Sequence, residues 1–288
     1  MDGLRHRAVD LGFALAWGLL RRLPEAVVTW LFTRAADVVF RRDGRGVQRL
    51  RSNLAVVRPD AGPAELDALT RAGMRSYLRY WQEAFRLPEW SPERIVGRVR
   101  TVNEHLLRDA HAAGRGVICA LPHLANYDHA GAWAGLTGMP VSTVAERLRP
   151  ESLFDRFVAY RKQLGMEVLP LTGGTDDVFA ILADRLRAGG FVCLVADRDL
   201  SERGVPVTLF GRKSRMPAGP SALSVRTGAP LVPATLHYDG PDLVITFHEL
   251  IEPTGGAAAM TQRCADAFAA GIAAHPEDWH MLQRIFLD

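Results

Sequence analysis

The apolar positions of the chain change their period once. Up to about residue 90 they recur at helical spacing; beyond about residue 96 they gather into short continuous runs separated by helical stretches. Residues 3–22 and 24–41 read as two helices broken by Pro24, and 44–57 as a third, short and basic. Pro63 opens a long amphipathic helix that ends before Pro88, with Leu66, Leu69, Met74, Tyr77, Leu78, Trp81 and Phe85 on one stripe. That stripe is core packing.

Alternation then begins. RIVGRVRTV is strand-like, NEHLLRDAHAAG is a helix with a glycine stop, and GVICAL has the β-branched character of a buried strand. A small-residue helix from about Asn126 to Leu136 follows, then VSTVAE as a strand, SLFDRFVAYRKQLG as a helix, MEVLPL, the helix DDVFAILADRLRAGG, and the strand GFVCLVAD. VPVTLF is strand-like and FGRKSRM a basic loop. MPAGPSALSVRT is a helix, LVPATLHY and LVITFHEL form a hairpin around Asp239-Gly240, and helices near 257–273 and 277–286 close the chain. The expected fold is α/β: a mixed, largely parallel central sheet flanked by helices, over 91–288, behind a membrane-associating helical section over 1–90.

Strands of the alternating section end in polar groups. Pro122 stops GVICAL, and His123 follows; Glu146 and Arg147 follow the next strand; Asp197 and Arg198 follow GFVCLV. Ligands of parallel α/β sheets sit at the carboxyl ends of strands, so these residues define the candidate site. Asp128 lies five residues after His123. On one helix that spacing would separate the two by roughly 140°. With His123 in the turn and Asp128 in the first helical turn, the chain wraps round and the two are expected to meet, the acid fixing the tautomer and leaving the other nitrogen free as a general base. The same spacing recurs at His237 and Asp242, inside the hairpin, where it reads as turn and surface. The plain alternative for His123 is a satisfied loop histidine.

Charge narrows the setting. Residues 1–58 carry eleven arginines and five acids, a net +6 in a chain whose total is +3. Trp17, Trp30 and Phe32 stand among those arginines on short apolar helices, which suits a bilayer interface better than nucleic acid. The first uncharged run, Leu11 to Leu20, is well short of the roughly 20 residues that span a bilayer. No small-residue cleavage site follows it, so a peripheral, monotopic protein on the cytoplasmic face of the plasma membrane is expected. The alternative is that these helices only pack on the core. Cys119, Cys193 and Cys264 show no disulfide or zinc spacing.

The segments PHLANYD, FDRFVAYRKQLG, VADRD and LFGRKSRMPAGPSALSVRTGAPLVP, in this order, resemble the bacterial late acyltransferases of lipid A, a branch of the lysophospholipid acyltransferase superfamily. AERLRPESLFDRFVAYRKQLGMEVLPLTGG is nearer to the actinobacterial phosphatidylinositol mannoside acyltransferases. The resemblance covers about residues 5–285. It implies transfer of a fatty acyl group from acyl-CoA to a mannose 6-hydroxyl of a phosphatidylinositol mannoside, with no metal or other cofactor. It puts the family's base at His123 and its orienting carboxylate at Asp128, and substrate-binding roles at Glu146, Arg147, Arg161, Asp197 and Arg198. Many lipid A enzymes carry a longer spanning segment at the N-terminus, which is not expected in this sequence, and that favours the mannoside group.

On the residues alone, Glu146 suits a sugar hydroxyl and Arg147 a phosphate, with a surface ion pair as the alternative for both. Asp197 has pairing with Arg198 or Arg161 as its structural alternative. Arg212, Lys213 and Arg215 suit CoA phosphates or lipid headgroups, or form a solvated loop. No G-x-S-x-G elbow is present. Rival functions are a lipid A precursor as acceptor, an esterase in which His123 serves Ser221, and a non-catalytic lipid-binding protein of the membrane surface.

Overall fold

The computed structural model describes residues 20, 22–145, 158–170, 177–199 and 204–287. Among the described residues three helices lead in: α1 (Glu25–Arg42), α2 (Arg45–Val57) and α3 (Pro63–Arg86). Pro63 stands at the start of α3, and the Glu65 carboxylate reaches back to accept from the Gly62 N–H at 3.0 Å. Val47, Leu50, Leu54 and Met74 make a small apolar cluster between α2 and α3. Further along α3, Tyr80 is buried and Ala84 joins the main core. Asp37 on α1 is gripped by Arg71 and Arg75 of α3 through bonds of 2.8–2.9 Å. Both guanidiniums stay nearly half in water, so these pairs orient α1 more than they stabilise it.

The sheet has seven strands: β1 (Val99–Val102), β2 (Val117–Leu121), β3 (Val141–Ala145), β4 (Glu167–Pro170), β5 (Phe191–Val195), β8 (Leu231–Asp239) and β9 (Asp242–Phe247). Their order is β1-β9-β8-β2-β5-β3-β4, and every pairing is parallel except the β8–β9 hairpin. The expected mixed, largely parallel sheet is what forms. β2 lies in its middle with all five residues buried, which is why VICAL reads as one apolar run. Gly116 leads into it at φ 71°, where a Cβ would stand 2.3 Å from the Leu186 carbonyl oxygen, so only glycine fits the approach. Helices α5 (Glu104–Ala112), α6 (Tyr127–Leu136), α7 (Val178–Arg187), α8 (Gly219–Thr227) and α9 (Gly256–Ala274) flank the sheet.

Three expectations are corrected. RIVGRVRTV is not one strand: Ser91 caps a short helix, α4 (Pro92–Gly97), by accepting from the Arg94 N–H, and β1 begins only at Val99. The basic loop is a strand, β7 (Arg212–Met216), paired antiparallel with β6 (Val205–Leu209) around a turn at Phe210-Gly211. The last expected helix does not form. After a single 3₁₀ turn at Pro276–Asp278 the chain is extended, and its amides bond to other segments: His280 N–H to the His123 carbonyl at 2.8 Å, Leu287 N–H to the Lys213 carbonyl at 3.0 Å. Long-range pairing took the bonds that a helix would have kept to itself. The first expected helix, 3–22, lies almost wholly outside the described residues.

Several histidines are held neutral by burial. His280 is pushed down to about 3 and His237, stacked 3.5 Å from His275, to about 4; His129 and His248 are lowered too. From their ordinary value of 6.5 downward, the unfolded chain therefore binds more protons than the folded one. Asp278, pushed up to about 6 by burial, acts in the opposite sense over part of that range, one carboxyl against four imidazoles. The melting temperature, followed by scanning fluorimetry in constant ionic strength, is expected to fall steadily from pH 7 to pH 4.5. A flat or rising curve would show that these rings are not buried neutral.

Candidate active site

β2 and β5 run parallel in register, Leu121 opposite Val195. The Ala196 N–H continues the ladder to the Leu121 carbonyl at 2.8 Å. His123 and Asp197 each lie two residues beyond those paired ends, so the sheet itself brings them face to face. The His123 Nδ1 stands 2.5 Å from Asp197 Oδ1, and the His123 backbone N–H donates to Asp197 Oδ2 at 3.0 Å. Asp197 is 1% exposed while His123 is 24% exposed, so the pair is anchored inside and open at the imidazole.

The electrostatics follow from that contrast. Burial alone would push the Asp197 carboxyl up. The charge of His123 and hydrogen bonds from its ring, from Trp279 and from the His123 amide outweigh burial and hold Asp197 below the usual carboxylate range. An ionised carboxylate can only accept, so in the neutral form of the ring the proton sits on Nδ1 and Nε2 is left as the proton acceptor.

The expected contact between His123 and Asp128 is not made. Asp128 is buried in the first turn of α6, and its oxygens serve other partners: Oδ1 accepts from Arg161 Nε at 2.7 Å and Oδ2 from the Tyr80 hydroxyl at 2.9 Å. The turn does wrap as the spacing requires, but Asn126 caps α6 by accepting from the His129 N–H at 3.0 Å. That geometry faces Asp128 toward α3 and the helical stretch 158–163 instead of toward the imidazole. Tyr127 comes between, its ring edge-on to His123 at 5.9 Å and its partner ring Tyr80 at 5.0 Å. Burial, with the Asp128 charge next, pushes Tyr127 up to about 12, so it stays a neutral wall of the site. Desolvation works against the Arg161 charge, but Asp128 and the neighbouring tyrosines outweigh it and keep the guanidinium protonated.

Asp197, expected to bind substrate, is thus the carboxylate on His123. Arg161, expected likewise, is 15% exposed and committed to Asp128. Arg198 is half-buried beside Asp197. Glu146 and Arg147 lie outside the described residues. Ser221 is not a partner for His123: it is buried between α8 and α9, accepting from the Thr261 hydroxyl at 2.9 Å. Cys119 is buried mid-strand opposite Cys193 of β5.

Amides near His123 are largely spoken for. His123 N–H goes to Asp197, Leu124 N–H to the Pro122 carbonyl at 2.7 Å, and Ala125 N–H to the Asp278 carbonyl at 3.0 Å. Below Tyr127, between α6 and the sheet, lies an apolar cavity of about 30 Å³ bounded by Cys119, Leu121, Gly131, Trp133 and Phe247. A polar cleft of about 520 Å³ lies elsewhere, between α1, α3 and the β8–β9 hairpin, and none of the expected site residues lines it.

The profile of the bacterial lipid A biosynthesis acyltransferases matches residues 4–288. The chain is 46% identical over 282 residues to the phosphatidylinositol mannoside acyltransferase of Mycolicibacterium smegmatis, covering 97% of this chain and 92% of that protein. It is 45% identical over 289 residues to the phosphatidylinositol mannoside acyltransferases of two Mycobacterium tuberculosis strains, CDC 1551 and H37Rv, covering 99% of this chain and 91% of each relative.

The Arg161–Asp128 pair is buried enough that losing one member leaves a charge uncompensated. Arg161→Ala is expected to cost about 3 kcal/mol of unfolding free energy, read by denaturant titration. The double variant Arg161→Ala with Asp128→Asn is expected to cost less than the two single changes together. Additive costs would mean that the pair is not coupled.

Proposed function

Because the chain belongs to the bacterial lipid A biosynthesis acyltransferase family, we propose that it moves a fatty acyl group, palmitoyl from acyl-CoA, onto a mannose 6-hydroxyl of a phosphatidylinositol mannoside. The observation that carries the chemistry is the open imidazole of His123, held by the buried Asp197 at the carboxyl edge of β2 and β5.

His123 Nε2 takes the proton of the acceptor hydroxyl as its oxygen attacks the thioester carbonyl. Asp197 keeps the ring in the tautomer that allows this and stabilises the imidazolium that results. The tetrahedral intermediate collapses with cleavage of the C–S bond, and the imidazolium returns the proton to the departing CoA thiolate. No acyl-enzyme forms in this mechanism, because among the described residues no activated nucleophile stands at His123. Since the amides of His123, Leu124 and Ala125 are already bonded, stabilisation of the oxyanion falls to the opening turn of α6 or to Arg147. Asp128, Arg161 and Tyr80 form the rigid wall against which the sugar is placed, with Glu146, Arg147 and Arg198 as further acceptor contacts. The acyl tail enters the apolar space beneath Tyr127, where side chains part to admit it.

The substrates' lipid character places the reaction at a membrane surface. α1 buries Val28 and Ala36 and turns the opposite face outward: Trp30 is 57% exposed, with Val27, Leu31, Val38 and Val39 beside it and Arg34 over the Trp30 ring. Among the described residues no helix is long and apolar enough to cross a membrane. An aromatic-aliphatic stripe with flanking arginines suits docking on an anionic cytoplasmic-face bilayer.

Two measurements test this reading. With radiolabelled palmitoyl-CoA and a panel of phosphatidylinositol mannosides, lipid A precursors and lysophospholipids, label is expected on the mannosides. His123→Ala is expected to lower that transfer by about 10²–10⁴-fold; wild-type turnover in the variant would remove the base. In liposome flotation, Trp30→Ser combined with Leu31→Ser is expected to weaken binding to anionic vesicles at least several-fold. Unchanged flotation would take α1 out of the membrane contact.

A further inference from the structure

The Asp197 carboxylate has a third donor that neither β2 nor β5 supplies. The indole Nε1–H of Trp279 bonds to its Oδ2 at 3.0 Å, reaching across from the C-terminal segment. Trp279 is completely buried, among the largest side chains with no exposed surface. An ordinary core tryptophan is fixed by the shape of its ring, and a phenylalanine or leucine would do as well. Here the N–H is aimed at the carboxylate that bonds the His123 ring.

The surrounding contacts show why the aim is fixed. Leu124 and Trp279 form an antiparallel bridge, the His280 N–H donates to the His123 carbonyl at 2.8 Å, and the Ala125 N–H donates to the Asp278 carbonyl at 3.0 Å. The segment is therefore laced to the loop that carries His123. Its other side is tied to α3 and β8. The Ser76 hydroxyl donates to Asp278 Oδ1 at 2.6 Å, leaving its lone pairs for the His280 Nε2–H at 2.9 Å, and Asp278 Oδ2 accepts from the Tyr238 N–H at 2.8 Å. A carboxylate turns easily about its last torsion, whose energy profile is broad. Of the two bonds from His123, the one from the ring moves with the imidazole, and the backbone amide holds Oδ2 from one side only. A donor on a second segment holds the same oxygen from another direction and so restrains any joint swing of carboxylate and imidazole.

We propose that Trp279 is a positioning residue of the acyl transfer: its indole N–H locks the plane of the Asp197 carboxylate and, through it, the orientation of the His123 ring. The inference rests on His123 acting as the general base. Trp279 itself touches neither substrate, so its effect falls on the chemical step and not on substrate binding.

The test replaces Trp279 in the full chain by its benzothienyl isostere, which keeps the bicyclic ring and exchanges the N–H for sulfur, and in parallel makes Trp279→Phe. Transfer kinetics are measured with palmitoyl-CoA and a phosphatidylinositol mannoside in mixed micelles. Proton NMR follows the far-downfield resonance of the His123 Nδ1–H. For the isostere, kcat is expected to fall about ten-fold, the worth of one hydrogen bond to a charged group, with KM unchanged. The downfield resonance is expected to move or broaden. Trp279→Phe is expected to show the same split, with a lower melting temperature from the lost ring volume. An isostere with wild-type kcat and an unmoved resonance, alongside an inactive His123→Ala, overturns the role of Trp279 and leaves the base in place. Wild-type turnover by His123→Ala overturns the base and this inference with it.

Discussion

The site depends on a buried carboxylate that has to stay ionised. Asp197 pays a desolvation penalty that would by itself neutralise it, and a neutral acid would neither fix the imidazole tautomer nor stabilise an imidazolium. The fold offsets that penalty with the charge of His123 and with hydrogen-bond donors. The ring and the amide of one residue supply two hydrogen bonds, and an indole from the far end of the chain supplies the third. Because β2 and β5 are parallel neighbours in register, the same ladder that builds the sheet delivers both partners to one spot.

A second layer of buried polar groups lies behind this one. Asp128, Arg161 and Tyr80 link α6, the helical stretch 158–163 and α3. Glu83 of α3 gathers Arg79, Asn126 and Tyr238 in the same way. The capping residue of α6 is therefore itself held by α3. Such networks gain little net stability over apolar packing of the same volume; what they contribute is a single arrangement. Helix α3 emerges as the frame, touching the lead-in helices on one side and, through Ser76, Tyr80 and Glu83, the surroundings of His123 on the other.

Much of this was legible in the sequence, and the misses have physical causes. The buried strands, the long helix α3 and the β8–β9 hairpin follow from apolar period and turn chemistry. His123 stood out because a polar residue follows a five-residue apolar run and a proline. Nearness in sequence points to Asp128 as the partner of His123, whereas sheet contacts are made between distant segments and deliver Asp197. A usable signal was present: VICALPH and FVCLVAD carry their His and Asp at the same offset from equally long apolar strands, which in adjacent parallel strands puts them side by side. The C-terminal segment offered no such signal. Its apolar residues Trp279, Met281, Ile285 and Phe286 are consistent with a short closing helix by composition only, and the tertiary pairing of its amides reveals an extended strap. The family resemblance drawn from ordered blocks agrees with the profile match over nearly the whole chain.

The account turns on which acid holds the imidazole, and nitrogen-15 NMR of the His123 ring reads that directly. In the wild-type protein it predicts that the ring in its neutral form is protonated at Nδ1 and bare at Nε2. Asp128→Asn is predicted to leave that pattern alone, whereas Asp197→Asn moves the proton or lets the ring exchange between tautomers. A ring protonated at Nε2 in the wild type, or a tautomer that follows Asp128 and ignores Asp197, would contradict it.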